Sequence, residues 1–172
     1  MSLVTRRGLV ALGLGAVVAG AEASALAAVP EPAGEVILTV DGAIGLADPA
    51  PPVHFDLDTL LALGRHRLQT RTPFTEGEPV FEGVLARSVM QAVQARGTMA
   101  MARARNDYTA AVPLADFTAM EVLLASHMDG RRLQLRDKGP LWIVFPWSQE
   151  PAIDNRMTRQ KSVWQLYRLS IS

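Results

Sequence analysis

Short alternating runs, each closed by Gly, Pro or an Asn-Asp pair, recur from Glu35 to the C terminus and limit this chain to a fold built mainly of short strands. Glu35–Val40 alternates as a strand and ends at Asp41-Gly42, and the proline-rich stretch from Gly45 to Val53 reads as loop. Asp56 stands where a helix cap belongs, before an apolar stripe of Leu57, Leu60, Leu61 and Leu63 that Gly64 closes. His66–Thr72 alternates as an exposed strand, and Pro73 to Gly77 turns it toward a second strand at Pro79–Gly83. Val84, Leu85, Val89, Met90 and Val93 follow at helical spacing, with Gly97 as the stop.

Met99–Arg105 and Tyr108–Val112 form a hairpin about Asn106-Asp107, and Pro113–Phe117 reads as a brief helical turn. Val122–Ala125 is a buried strand that ends at Met128-Asp129-Gly130, and Leu141–Trp147 is the most apolar strand. Ser162–Ile171 alternates to finish the chain. The class expected is α+β, a single domain with a mixed or antiparallel sheet and two main helices.

Residues 1–27 have another character. Arg6-Arg7 precedes an apolar run from Leu9 to Gly20, and small residues at Ala25-Leu26-Ala27 suit a signal peptidase, as do those at Ala23-Ser24-Ala25. The run is too short and too mildly apolar to span a bilayer at about 20 residues. The paired arginines resemble twin-arginine signals, a route that carries folded proteins; an ordinary secretory signal and a retained anchor are the alternatives. The expectation is a cleaved signal at 1–27 and one domain at 28–172, periplasmic or otherwise exported, with no stable membrane insertion after cleavage.

That domain carries 15 basic and 16 acidic side chains, so nucleic acid is not an expected partner. Thirteen of the basic residues are arginines, which suit two-pronged recognition of carboxylate or phosphate, or simply dress the surface. The chain has no cysteine, which removes disulfides, thiolate metal sites and cysteine nucleophiles together. His54, His66 and His127 lack paired metal-ligand spacing, and Asp56 with Asp58 reads as helix capping. Phosphate loops, nucleophile elbows and dinucleotide fingerprints are absent. Trp142 and Trp164 fall within expected strands as core, while Trp147, ahead of the polar loop Ser148–Arg159, either walls a pocket or seals the sheet edge.

Five segments in order carry a family resemblance: Phe81-Glu82-Gly83-Val84-Leu85; Asn106-Asp107-Tyr108-Thr109 with Val112-Pro113-Leu114-Ala115-Asp116; Leu123-Leu124-Ala125 with Met128-Asp129-Gly130; Lys138-Gly139-Pro140-Leu141 leading to Pro146; and Val163-Trp164-Gln165-Leu166. Together they resemble the molybdopterin-binding oxidoreductase domain of the sulfite oxidase family. The resemblance implies a molybdenum held by a cysteine thiolate at the end of the strand before the Gly-Val-Leu segment. The corresponding segment here reads Leu68-Gln69-Thr70-Arg71-Thr72, and a threonine hydroxyl gives up its proton far less readily than a thiol.

The scaffold is therefore expected to persist without conventional molybdenum chemistry, as a noncatalytic exported binding or accessory domain with no cofactor. Its expected ligand is small and anionic or pterin-like, met by Thr70, Arg71, Thr72 and Trp147, and its expected partner a membrane sensor or redox system. The alternative is an oxidoreductase that holds molybdopterin through noncanonical ligation.

Overall fold

Asp56 sets the first helix. Its Oδ1 accepts the Thr59 amide at 2.8 Å and the Thr59 hydroxyl at 2.6 Å, while Thr59 Oγ1 accepts the Asp56 amide at 3.0 Å, a reciprocal capping box. Oδ2 accepts the amides of Ala33 and Gly34 at 2.9 and 2.8 Å, so the same carboxylate ties the lead-in segment to the domain. These bonds, led by the Thr59 hydroxyl, favour the ionised form and lower the Asp56 pKa from 3.8 to about 2.

Residues 29–172 are described in the computed structural model; the signal expected at 1–27 lies outside them. The chain runs through β1 (Leu38–Gly42), β2 (Val53–Phe55), α1 (Leu57–Ala62), β3 (Arg65–Gln69), β4 (Val80–Leu85), α2 (Ala86–Ala92) and β5 (Met99–Ala104). There follow β6 (Thr109–Pro113), α3 (Leu114–Ala119), β7 (Leu123–Met128), β8 (Arg131–Arg132), β9 (Trp142–Val144), α4 (Arg156–Lys161) and β10 (Leu166–Ile171).

One sheet has the order β2-β1-β10-β5-β6 and is mixed: β1 lies parallel to β10, with Thr39 opposite Arg168, and its other pairs are antiparallel. The other sheet is antiparallel, in the order β3-β4-β7, and β8 and β9 share the far edge of β7. The α+β class and the mixed and antiparallel pairing stand as expected. Side chains from both sheets join one core in which Phe81, Leu124, Trp142, Val40 and Leu169 are fully enclosed. Phe81 meets Trp142 edge to face at 5.3 Å, and each such buried aromatic stabilises the fold by about 1.5–3 kcal/mol. Among the described residues no helix is long and apolar enough to cross a membrane.

Several boundaries differ from the sequence reading, each for a physical reason. Val84 and Leu85 remain in β4 because they pair with Leu124 and Leu123, so α2 starts only at Ala86. That helix ends before Gln94, which has a φ of 51°, and Gly97 serves elsewhere: a Cβ there would overlap the Ser172 carbonyl, whose oxygen accepts the Thr98 amide at 2.8 Å. Val53–Phe55, at the end of the proline-rich stretch, is recruited as β2 by pairing with Leu38–Val40. β9 stops at Val144, short of the expected Trp147, and Trp164 lies outside β10, half-buried, because Gln165 at φ 55° breaks the extended path. α4 is an additional helix that Asn155 opens by accepting the Thr158 amide at 3.1 Å.

Candidate functional site

The segment after β3 is latched to the segment after β9. Thr70 is fully buried; its hydroxyl donates to the Arg71 carbonyl at 3.0 Å and accepts the Ser148 amide at 2.9 Å. The Ser148 hydroxyl accepts the Arg71 amide at 2.9 Å and donates to Glu78 Oε1 at 2.7 Å. Gln149 Nε2 donates to the Gln69 carbonyl at 2.8 Å, closing a third link. Thr72, 7% exposed, shares a hydrogen bond of 2.8 Å with the Thr75 hydroxyl and accepts the Phe74 amide at 3.1 Å.

Thr70, Arg71 and Thr72 thus sit on one short segment, with Ser148 bonded to the first two, and only the Arg71 side chain faces solvent. Trp147 next to Ser148 is fully buried, packs against Phe145 at 5.7 Å between ring centres, and has an Nε1 without a hydrogen-bond partner among the described residues.

The family resemblance implies a thiolate ligand on this segment, and the donors present do not fit that role. A hydroxyl has one proton and two lone pairs. Thr70 has committed its proton and one lone pair to the backbone, and no part of it reaches solvent. Among the described residues no three His, Asp or Glu side chains are grouped to hold a metal ion. His54 shares a bond of 3.1 Å with the Thr39 hydroxyl, His66 lies 3.8 Å from Glu121, and His127 bonds Ser126 at 2.9 Å, so each has a separate neighbourhood. Burial lowers the His127 pKa, with Arg132 and Arg65 acting in the same direction against Glu82.

Phe74 leads from this latch to a cleft. It contacts Trp164 edge to face at 5.1 Å and lines a cavity of about 380 Å³ with Asn106, Tyr108, Arg156, Arg159 and Trp164. Thr70, Arg71, Thr72 and Trp147 are not among its walls. The Tyr108 hydroxyl donates to the Gln160 carbonyl at 2.8 Å and joins the turn between β5 and β6 to α4. Arg159 is neutralised by Asp154, with Nε and Nη2 at 3.0 and 2.9 Å from the same carboxylate oxygen. Arg156 is exposed, and among the described residues no carboxylate lies within ion-pairing distance of it. The sequence places Asn106 in a turn, Tyr108 at the start of a strand, Trp164 in an expected strand and Arg156 and Arg159 in a polar loop; Asn155 ahead of Thr158 is the one local signal for α4.

The sequence model of the oxidoreductase molybdopterin binding domain matches residues 52–150, more than half of the chain. The sulfane dehydrogenase SoxCD from Paracoccus pantotrophus has a similar fold: TM-score 0.58 and 17% identity, over 78% of this chain and 37% of that one. The chain therefore spans little more than a third of that relative's length. No curated protein sequence matches it. Arg156, Arg159 and Trp164 lie C-terminal to the residues that match the family.

Proposed function

The chain belongs to the oxidoreductase molybdopterin-binding domain family, and on that premise we propose that it is an exported, noncatalytic member that uses the scaffold for binding or as an accessory to a membrane sensor or redox system. The observation that carries the reading is the Thr70 hydroxyl. It occupies the segment from which the resemblance expects a thiolate, it is neutral, and its proton is already donated to the Arg71 carbonyl. A metal centre at that position would need a negatively charged soft donor, and the chain has no cysteine to supply one.

Export rests on Arg6-Arg7, the apolar run and the small residues up to Ala27. Native mass spectrometry of the protein recovered from the periplasm of its own host tests both parts in one spectrum. The expected mass is that of a chain beginning after Ala27 or Ala25, with no added cofactor. A full-length mass would overturn export, and an added pterin-metal mass would overturn the noncatalytic role.

A further inference from the structure

The cleft beyond Phe74 has the polarity of a site for one negative charge carried on a flat ring. We propose that it binds a small aromatic carboxylate, with the ring against Phe74 and Trp164 and the carboxylate on Arg156. The inference rests on the reading of this domain as a binding module and adds the class and seat of its ligand.

The volume, about 380 Å³, suits a compound of one or two rings, within the usual range for small-molecule sites. Its apolar wall is aromatic: Phe74 and Trp164 are half-buried and meet at 5.1 Å, leaving ring surface for an offset or edge contact. The polar groups are mostly spent. Tyr108 gives its proton to Gln160, the Ser162 hydroxyl donates to the Ile143 carbonyl at 2.7 Å and accepts Trp142 Nε1 at 2.9 Å, and Arg159 is held by Asp154.

What remains is the Arg156 guanidinium, the side-chain amide of Gln160 and that of Asn106, whose oxygen already accepts the Tyr108 amide at 3.2 Å. A planar guanidinium matches a carboxylate through two parallel hydrogen bonds. One unpaired positive charge offsets one negative charge, so a carboxylate is favoured over a phosphate dianion, for which Arg159 would first have to leave Asp154.

Titration of the full-length protein with 2-naphthoate, followed by tryptophan fluorescence and by calorimetry, tests the assignment. Saturable quenching is expected, and Arg156→Ala should weaken binding about tenfold, the effect of losing one charge-assisted contact. The neutral 2-naphthamide should bind the unaltered protein about as weakly as naphthoate binds Arg156→Ala. In Trp164→Phe part of the quenching should vanish while calorimetric heat persists, because Trp142, 6.5 Å from the Trp164 ring, stays within reach of the bound ligand. Absence of saturation, equal affinity in Arg156→Ala, or equal affinity for naphthamide would overturn it. A protein loaded with molybdenum would contradict the noncatalytic reading and leave this titration unaffected, whereas a failed titration of metal-free protein would remove the ligand class alone.

Discussion

The Ser148 amide donates to the Thr70 hydroxyl at 2.9 Å across 78 positions of sequence, and this bond holds together the two segments that border the expected metal position. Thr70→Val keeps the shape of the side chain and removes both of its hydrogen bonds. It should lower stability by about 1–3 kcal/mol, the cost of leaving the Ser148 amide without its partner, as read by urea denaturation. Thr70→Ser, which keeps the hydroxyl, should stay much closer to the unaltered protein. A larger loss in Thr70→Ser than in Thr70→Val would mean that the methyl group, not the hydroxyl, matters.

Two buried tryptophans offer a matched comparison. Trp142 Nε1 donates to the Ser162 hydroxyl at 2.9 Å, whereas Trp147 Nε1 has no partner among the described residues, and both rings are fully enclosed. Trp→Phe at either position leaves a similar cavity, so the difference isolates the hydrogen bond. Trp142→Phe should be the more destabilising by about 1–2 kcal/mol in denaturant melts. The reverse order would show that Trp147 Nε1 is satisfied in solution.

The Asp56 pKa gives a pH signature with a definite sign. Because the carboxyl titrates near 2 in the folded protein and near 3.8 unfolded, the unfolded chain binds the proton more readily between these values. Its contribution is complete above pH 3.8 and is lost as pH falls toward 2. Melting temperatures of the protein and of Asp56→Asn, measured from pH 5 to 2, should converge on the acid side; curves that stay parallel would contradict the assignment.

Gly83 lies at the irregularity in the pairing of β4 with β7, and a Cβ there would overlap the Leu124 carbonyl. Gly83→Ala should therefore cost about 1–3 kcal/mol through forced strand separation, measured as a shift of the denaturation midpoint. An unchanged midpoint would show that the strands part freely.

Much of this fold is legible from residues. The cap at Asp56, the hairpin about Asn106-Asp107 and the turn at Asp129-Gly130 each follow from local chemistry, since Asp107 and Asp129 adopt positive φ, which Asp tolerates better than most residues. Other features depend on partners distant in sequence. Phe81, Val84, Leu85 and Val89 fit a helical period as well as an extended one, and only pairing with β7 keeps the middle two in a strand. α4 buries Thr158 alone, so no apolar stripe announces it. The cleft is harder still, because a hairpin turn, a polar helix and the loop after β3 converge there from three separate stretches of sequence. The latch was half visible: Thr70 and Arg71 could be singled out as the segment at issue, but their union with Ser148 is a tertiary fact.

Hydrogen bonds to Ser148 hold Thr70 and Arg71 where the family resemblance implies a metal-bound thiolate, and on the proposed reading no metal centre forms there. Elemental analysis of the protein purified from the periplasm of its own host, grown with ample molybdate and tungstate, tests it most directly. The account predicts molybdenum and tungsten far below one atom per chain; a content near one atom of either per chain would contradict it.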